Sequence, residues 1–189
     1  MYTGQLVRLR EYRQEDIPLS NAFFNDSEIR ALMDSGTGYP HVLADTERWV
    51  EKNSAFQDTY CFAIETLDSG RFIGRCDICR VDWKARVAVV GILIGDKRYR
   101  GKGYGSDAME VLIRFCFEEM NLNKVKLDVF SLNTGARRCY EKCGFGVEGV
   151  FRREIYAHGQ YHDNIAMGLL RGEWDARQKD NGQKITRLR

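Results

Sequence analysis

Hydrophobic residues follow two rhythms along this chain. In the first half they recur every second residue. Leu6-Val7-Arg8-Leu9-Arg10 reads as a strand with Val7 and Leu9 on one face and Leu6 and Arg8 on the other. Tyr60 to Thr66, Phe72 to Val81 and Arg86 to Ile94 predict three successive strands. Asp68-Ser69-Gly70 and Asp82-Trp83-Lys84-Ala85 are the turns of an antiparallel meander. Two helices are expected earlier. One spans Glu15 to Phe24, where Pro18 is tolerated only in the first turn, and the other spans Ala44 to Lys52 with Trp49 and Val50 inward. Asp34 to Pro40, with two glycines and a proline, reads as a loop.

In the second half the period lengthens. Ala108, Val111, Leu112, Phe115 and Cys116 stand at i, i+3, i+4, i+7 and i+8, the stripe of a helix packing one face. Val125, Leu127 and Val129 alternate in a following strand. A helix is expected from Thr134 to Lys142, capped by Asn133 or Thr134 and ended by Gly144. Phe145 to Tyr156 and Asn164 to Leu170 predict a closing hairpin around Ala157-His158-Gly159-Gln160. The strand–helix–strand stretch from 86 to 129 needs a crossover, which makes its two strands parallel neighbours. The predicted fold class is α/β (α+β): a mixed, mostly antiparallel central sheet with helices on both faces. Residues 1–174 are read as one domain, and 175–189 as a polar, basic tail expected to fray.

Composition narrows the partners. The 189 residues fit a single core. Lys and Arg number 29 against 27 Asp and Glu, a net charge of +2, which argues against a nucleic-acid binder. No apolar run nears the roughly 18 residues needed to span a membrane, and the first residues lack a basic segment followed by an apolar one. A cytoplasmic protein is expected, with no membrane partner. Its six cysteines are then expected as thiols. Cys76 and Cys79 lack a second ligand pair, so no metal is expected.

The densest chemical signal is the stretch Gly95-Asp96-Lys97-Arg98-Tyr99-Arg100-Gly101-Lys102-Gly103-Tyr104-Gly105, entered by a strand and left by a helix. Alternate glycines admit a ligand close to the backbone, and N–H groups at a helix start bind anions. With Lys97, Arg98, Arg100 and Lys102 alongside, the stretch suits a phosphate-bearing ligand. Five residues separate Gly95 from Gly101 and Gly103 follows Lys102, which does not fit a Walker A loop. Ser106 breaks the dinucleotide fingerprint.

Arg98-x-x-Gly101-x-Gly103 resembles the signature of the GNAT acetyltransferase superfamily. Asn133-x-x-Ala136-x-x-x-Tyr140-Glu141-Lys142-Cys143-Gly144-Phe145 resembles its second motif. Glu148-Gly149-x-Phe151-Arg152 and Gly159-x-Tyr161-x-Asp163 are similar to the branch that contains ribosomal-protein N-terminal and spermidine acetyltransferases. The resemblance covers about residues 86 to 170. It implies acetyl-CoA as co-substrate, with its pyrophosphate on Arg98, Arg100, Gly101, Lys102, Gly103, Tyr104 and Gly105 and its pantetheine arm at Asn133. It also implies a backbone N–H near Ile92 or Leu93 for the oxyanion, and Tyr140 as the acid that protonates the departing thiolate. The acceptor would be a primary amine, on a small molecule or a protein N-terminus, and a homodimer is common in the superfamily.

One position departs from the family. Where the branch often carries a carboxylate just before the matching glycine, this chain has Val89 and Val90 before Gly91. Glu28, Asp34, Glu65, Asp77 and His41 are candidate general bases from other segments, with a water chain or backbone carbonyls as the alternative. Two rival readings stay open: a non-catalytic CoA-binding sensor or scaffold, and transfer through a cysteine such as Cys139 or Cys143.

Overall fold

The computed structural model describes residues 2–33, 38–53 and 58–187, the side chains of 181–187 excepted. Seven strands form one sheet in the order β1-β2-β3-β4-β5-β7-β6: Val7–Arg10 (β1), Tyr60–Thr66 (β2), Phe72–Asp82 (β3), Val87–Ile94 (β4), Lys124–Phe130 (β5), Gly146–Ala157 (β6) and Gln160–Leu170 (β7). Six helices cover it: Ile17–Asn25 (α1), Ser27–Met33 (α2), Leu43–Asn53 (α3), Tyr104–Arg114 (α4), Thr134–Lys142 (α5) and Arg171–Arg187 (α6).

Every pairing is antiparallel except β4 with β5, which is parallel as the crossover requires. That parallel contact is brief. Only Val87, Ala88 and Val89 pair, with Lys124, Val125 and Lys126. Beyond Val89 the strands part, while β4 stays paired with β3 to Ile94. This divergence opens the centre of the sheet.

Strand alternation sorts side chains between two cores. Val90, Ile92, Ile64, Cys76 and Ile78 face α4, whose Ala108, Met109, Leu112 and Ile113 are buried. Ala63, Phe72 and Leu93 face the other side with Phe23 and Ile29 of α1 and α2. Pro18 sits in the first turn of α1, where its missing N–H costs nothing.

Three elements differ from the sequence reading. The α4 stripe does not run on as an α-helix. Phe115–Glu119 is a π-helical turn, and the wider coil buries both Cys116 and Phe117. Helix α2 has no counterpart in that reading. Its first turn is held by Asp26, whose Oδ1 accepts from the N–H groups of Glu28 and Ile29. Residues 175–187 of the segment expected to fray continue helix α6, which is anchored just ahead of that segment. Trp174 of α6 is buried with its ring 5.4 Å from that of Phe117, and Arg171 donates to the Phe117 carbonyl at 2.6 Å. Of the loop from Asp34 to Pro40, residues 34–37, including the candidate base Asp34, lie outside the described residues.

Candidate active site

A cleft of about 780 Å³ lies where β4 and β5 part, lined also by α2, α4 and α5. That volume suits a drug-sized ligand or larger. Of the residues named from sequence, Ile92, Leu93, Arg100, Gly101, Gly103, Gly105 and Asn133 line it, and Arg98, Lys102, Tyr104 and Tyr140 do not.

The floor is the free edge of β4. The Gly95 N–H donates to Ile73 O of β3 at 2.9 Å, and the Ile94 carbonyl accepts from Arg100 Nε at 2.8 Å on the opposite edge. Backbone groups alternate edges along a strand, so the N–H of Leu93 turns toward β3. That of Ile92 turns toward the gap left by β5. Between the two oxyanion-donor candidates, the geometry favours Ile92.

One end of the cleft is the start of α4. Gly101 and Gly103 have φ of +69° and +93°, and Gly103 is the N-cap residue. The first bond of the helix runs from Asp107 N to Gly103 O at 2.9 Å. The N–H groups of Tyr104, Gly105 and Ser106 are therefore left without intrahelical acceptors. A Cβ on Gly101 would meet no atom within 4 Å, so the turn stands open to a ligand. These features fit a diphosphate.

The neighbouring cations contribute less than their density suggests. Lys97 Nζ donates to Glu28 at 2.6 Å and lies 3.1 Å from Asp26. Arg98 closes on Asp96, and Arg100 is spent on the carbonyls of Ile94 and Gly95. Lys102 is exposed. What remains to meet an anion here is the set of N–H groups of Tyr104, Gly105 and Ser106, with the exposed Lys102 beside them.

The far wall is α5. Asn133 Oδ1 caps it by accepting from Ala136 N at 3.0 Å, and Nδ2 donates to Leu32 O at 3.2 Å. One side chain thus fixes α5 and ties it to α2. Tyr140 is buried beneath the wall, edge-on to Phe145 at 5.9 Å between centroids. Burial, with Cys139 and Cys143 nearby, pushes its hydroxyl pKa up, so it is protonated at neutral pH. Cys139, named from sequence as a rival nucleophile, lines the cleft. A bond from Cys143 outweighs burial and, with Ser106 Oγ at 3.4 Å, lowers the Cys139 thiol to about 7. It sits at the anion end, 3.7 Å from where a Gly105 Cβ would lie.

The base candidates scatter. Glu28 lines the cleft but holds Lys97. Glu65 is buried between Arg8 and Arg10, bonded by their Nε atoms at 2.6 and 2.5 Å. His41 sits against Phe24 with 6.2 Å between ring centroids. Asp77 is buried beside Arg75. In the hairpin, His158 and Gly159 take φ of +50° and +76°, and His162 Nε2 lies 3.2 Å from Ala157 O. Asp163, given no role by sequence, accepts from Arg153 N at 2.8 Å and fixes the bulge in β6. Cys76 is buried and Cys79 exposed, and no cluster of three metal-ligating side chains occurs among the described residues.

A parted parallel strand pair beside a glycine-started helix sets the class of this mixed α/β fold, and comparison with known proteins identifies it. Residues 7–146 match the family model "Acetyltransferase (GNAT) domain"; the chain belongs to the GNAT N-acetyltransferases. It is 30% identical, over 92% of its length and 95% of the relative's, to the SPbeta prophage-derived uncharacterized N-acetyltransferase YokL of Bacillus subtilis. It is 27% identical to spermidine N(1)-acetyltransferase of Escherichia coli K12, over 98% of this chain and 97% of that one. The crystal structure of spermidine N-acetyltransferase from Vibrio cholerae in complex with CoA and spermine shares the fold. Its TM-score is 0.80 at 24% identity, covering 89% of this chain and 97% of that one. Among the described residues no helix is long and apolar enough to cross a membrane.

Proposed function

We propose that this N-acetyltransferase moves an acetyl group from acetyl-CoA directly to a primary amine. The observation that carries the reading is the free N–H of Ile92 at the point where β5 leaves β4, at the foot of a cleft whose other end is the α4 N-terminus. The N–H groups of Tyr104, Gly105 and Ser106 hold the pyrophosphate. Asn133 orients the pantetheine arm. The Ile92 N–H receives the oxyanion as the amine adds to the thioester carbonyl. Tyr140, kept protonated by burial, then supplies the proton to the leaving thiolate.

The acceptor is a small primary amine, a reading supported by the Escherichia coli spermidine acetyltransferase among the relatives. Direct transfer is favoured over a cysteine intermediate because Cys139 lies at the anion end of the cleft, next to Gly105 and Ser106. The test is thiol release from acetyl-CoA with a panel of spermidine, glucosamine, ethylamine and a short peptide with a free N-terminus. Amine-dependent release retained by Cys139→Ala is expected. CoA binding with no release from any amine would favour the sensor or scaffold reading.

A further inference from the structure

Asp77 and Arg75 form an ion pair on the α1–α3 side of β3, with Arg75 Nη1 donating to Asp77 Oδ2 at 2.6 Å. Only 9% of Asp77 and 8% of Arg75 are exposed. The guanidinium lies over the Trp49 and Phe24 rings, 4.1 and 4.8 Å from their centroids, so it is clamped in place. The Cys61 thiol of β2, directly opposite Asp77, also reaches the carboxylate, but Arg75 Nε and Asp77 Oδ1 have no hydrogen-bond partner within the geometric limits of a bond. A buried carboxylate oxygen left bare is costly, and natural folds retain such a group where something else uses it.

The register indicates what. Asp77 stands directly opposite Gly91. Opposed residues in an antiparallel pair project to the same face, their Cβ atoms roughly 5 Å apart. A Cβ on Gly91 would meet nothing within 4 Å. The open space over β4, one residue before Ile92, therefore lies beside Asp77, whose Oδ1 is itself buried and has to be reached from that space. Val89 and Val90 supply no carboxylate there, Glu28 is committed to Lys97, and Glu65 is enclosed by Arg8 and Arg10.

We propose that Asp77 is the general base of the reaction, with Oδ1 the accepting atom and the space over Gly91 the seat of the amine. This rests on the acetyl-transfer reading above. The acceptor's ammonium N–H breaks and an Oδ1–H bond forms. The freed lone pair makes the C–N bond to the acetyl carbon, and the C–S bond breaks. The nitrogen gives up two protons in all. One reaches solvent through Asp77, and the other replaces the proton Tyr140 passes to the thiolate. The titratable and charged groups around Asp77 are Arg75, Cys76 and Cys79 of its own strand, Cys61 of β2 and Tyr12 before α1. Gly91 and Leu93 of β4, Phe24 of α1 and Trp49 of α3 add none.

The test is Asp77→Asn, whose side-chain oxygen still accepts from Arg75, assayed with the best amine of the panel. At pH 7, kcat/KM is expected to fall about 100-fold or more, with CoA affinity and Tm little changed. The loss should shrink about tenfold per pH unit as the pH approaches the amine's own pKa near 10.4, where the acceptor is already neutral. A merely structural role would depress the rate alike at every pH. If Asp77→Asn does not fold, the double variant Arg75→Met, Asp77→Leu removes both charges and leaves no buried ion unpaired. The same loss at pH 7 with CoA affinity kept is expected of it. Wild-type thiol release together with an unchanged variant profile overturns the role of Asp77 alone. No release by the wild type from any amine overturns both readings.

Discussion

Cysteine chemistry illustrates how much a single residue owes to its neighbours. Cys79 is exposed, yet desolvation by the protein atoms crowded around it, with Asp77 nearby, pushes its pKa up to about 11. Cys139 is half-buried but lowered to about 7 by Cys143 and Ser106. Alkylation by iodoacetamide at pH 7 should therefore take Cys139 first, and CoA should protect it; peptide mapping of the labelled protein checks this. Tyr140→Phe should cut kcat about 100-fold with CoA affinity unchanged, read by thiol release and calorimetry. Glu65 makes a different prediction. Burial works against its charge, but the bonds from Arg10 and Arg8 hold its pKa below the usual 4.5. Its stabilisation is then complete above about pH 4.5 and lost as the pH falls through the lowered value. Glu65→Gln should cost about 3 kcal/mol at pH 7, a deficit that narrows in acid, as Tm against pH would reveal. At this scale the sequence was legible where a role is local, as with Asn133 capping the helix that starts one residue later. It was illegible where the partner is distant. The Cys139 thiol is lowered first by Cys143 at the end of its own helix and then by Ser106 from another, and the position of Asp77 opposite Gly91 depends on a strand register.

Among the elements, the turn into α4 combines conformation with binding. Gly103 has φ of +93°, and its would-be Cβ would meet only Leu6 Cδ1 at 3.5 Å, an ordinary contact. The obstacle to a side chain there is backbone strain, not space. Gly103→Val should displace the first N–H groups of α4 and weaken CoA binding at least tenfold by calorimetry, with a smaller effect on Tm. The glycine pattern announced this turn, but the cations around it were misleading as a count. Lys97 and Arg98 are answered by Glu28, Asp26 and Asp96 once the chain folds, pairings that a linear tally does not expose. Helix α2 was hidden because seven residues are too few to establish a period, and its start depends on the Asp26 carboxylate. The π-helical turn was hidden for a related reason: Phe115 and Cys116 fit an α-helical stripe equally well.

For the whole molecule, α6 ties the late elements together. Besides the Trp174 contact, Arg177 donates to the carbonyls of Cys143 and Lys142 at the end of α5 and pairs with Glu110 of α4 at 3.3 Å. Trp174→Ala should cost about 3–5 kcal/mol and lower Tm by roughly 10 °C, measured by calorimetry. The polar composition of 175–189 suggested a frayed end because its tie to the fold, Arg177 reaching backbone carbonyls, leaves no periodic signal, and the anchoring Trp174 lies just before it. The sheet order, by contrast, was largely readable from turn spacing and the single crossover. Its central gap was not, since Val90 to Ile94 is as apolar as a fully paired strand. That gap divides the molecule in another sense. Strands β1 to β4 and strands β5, β7 and β6 meet along only three residue pairs. In deuterium labelling the two halves should open as separate cooperative units. The Ile92 amide, in the middle of the sheet, should exchange as quickly as one on the surface.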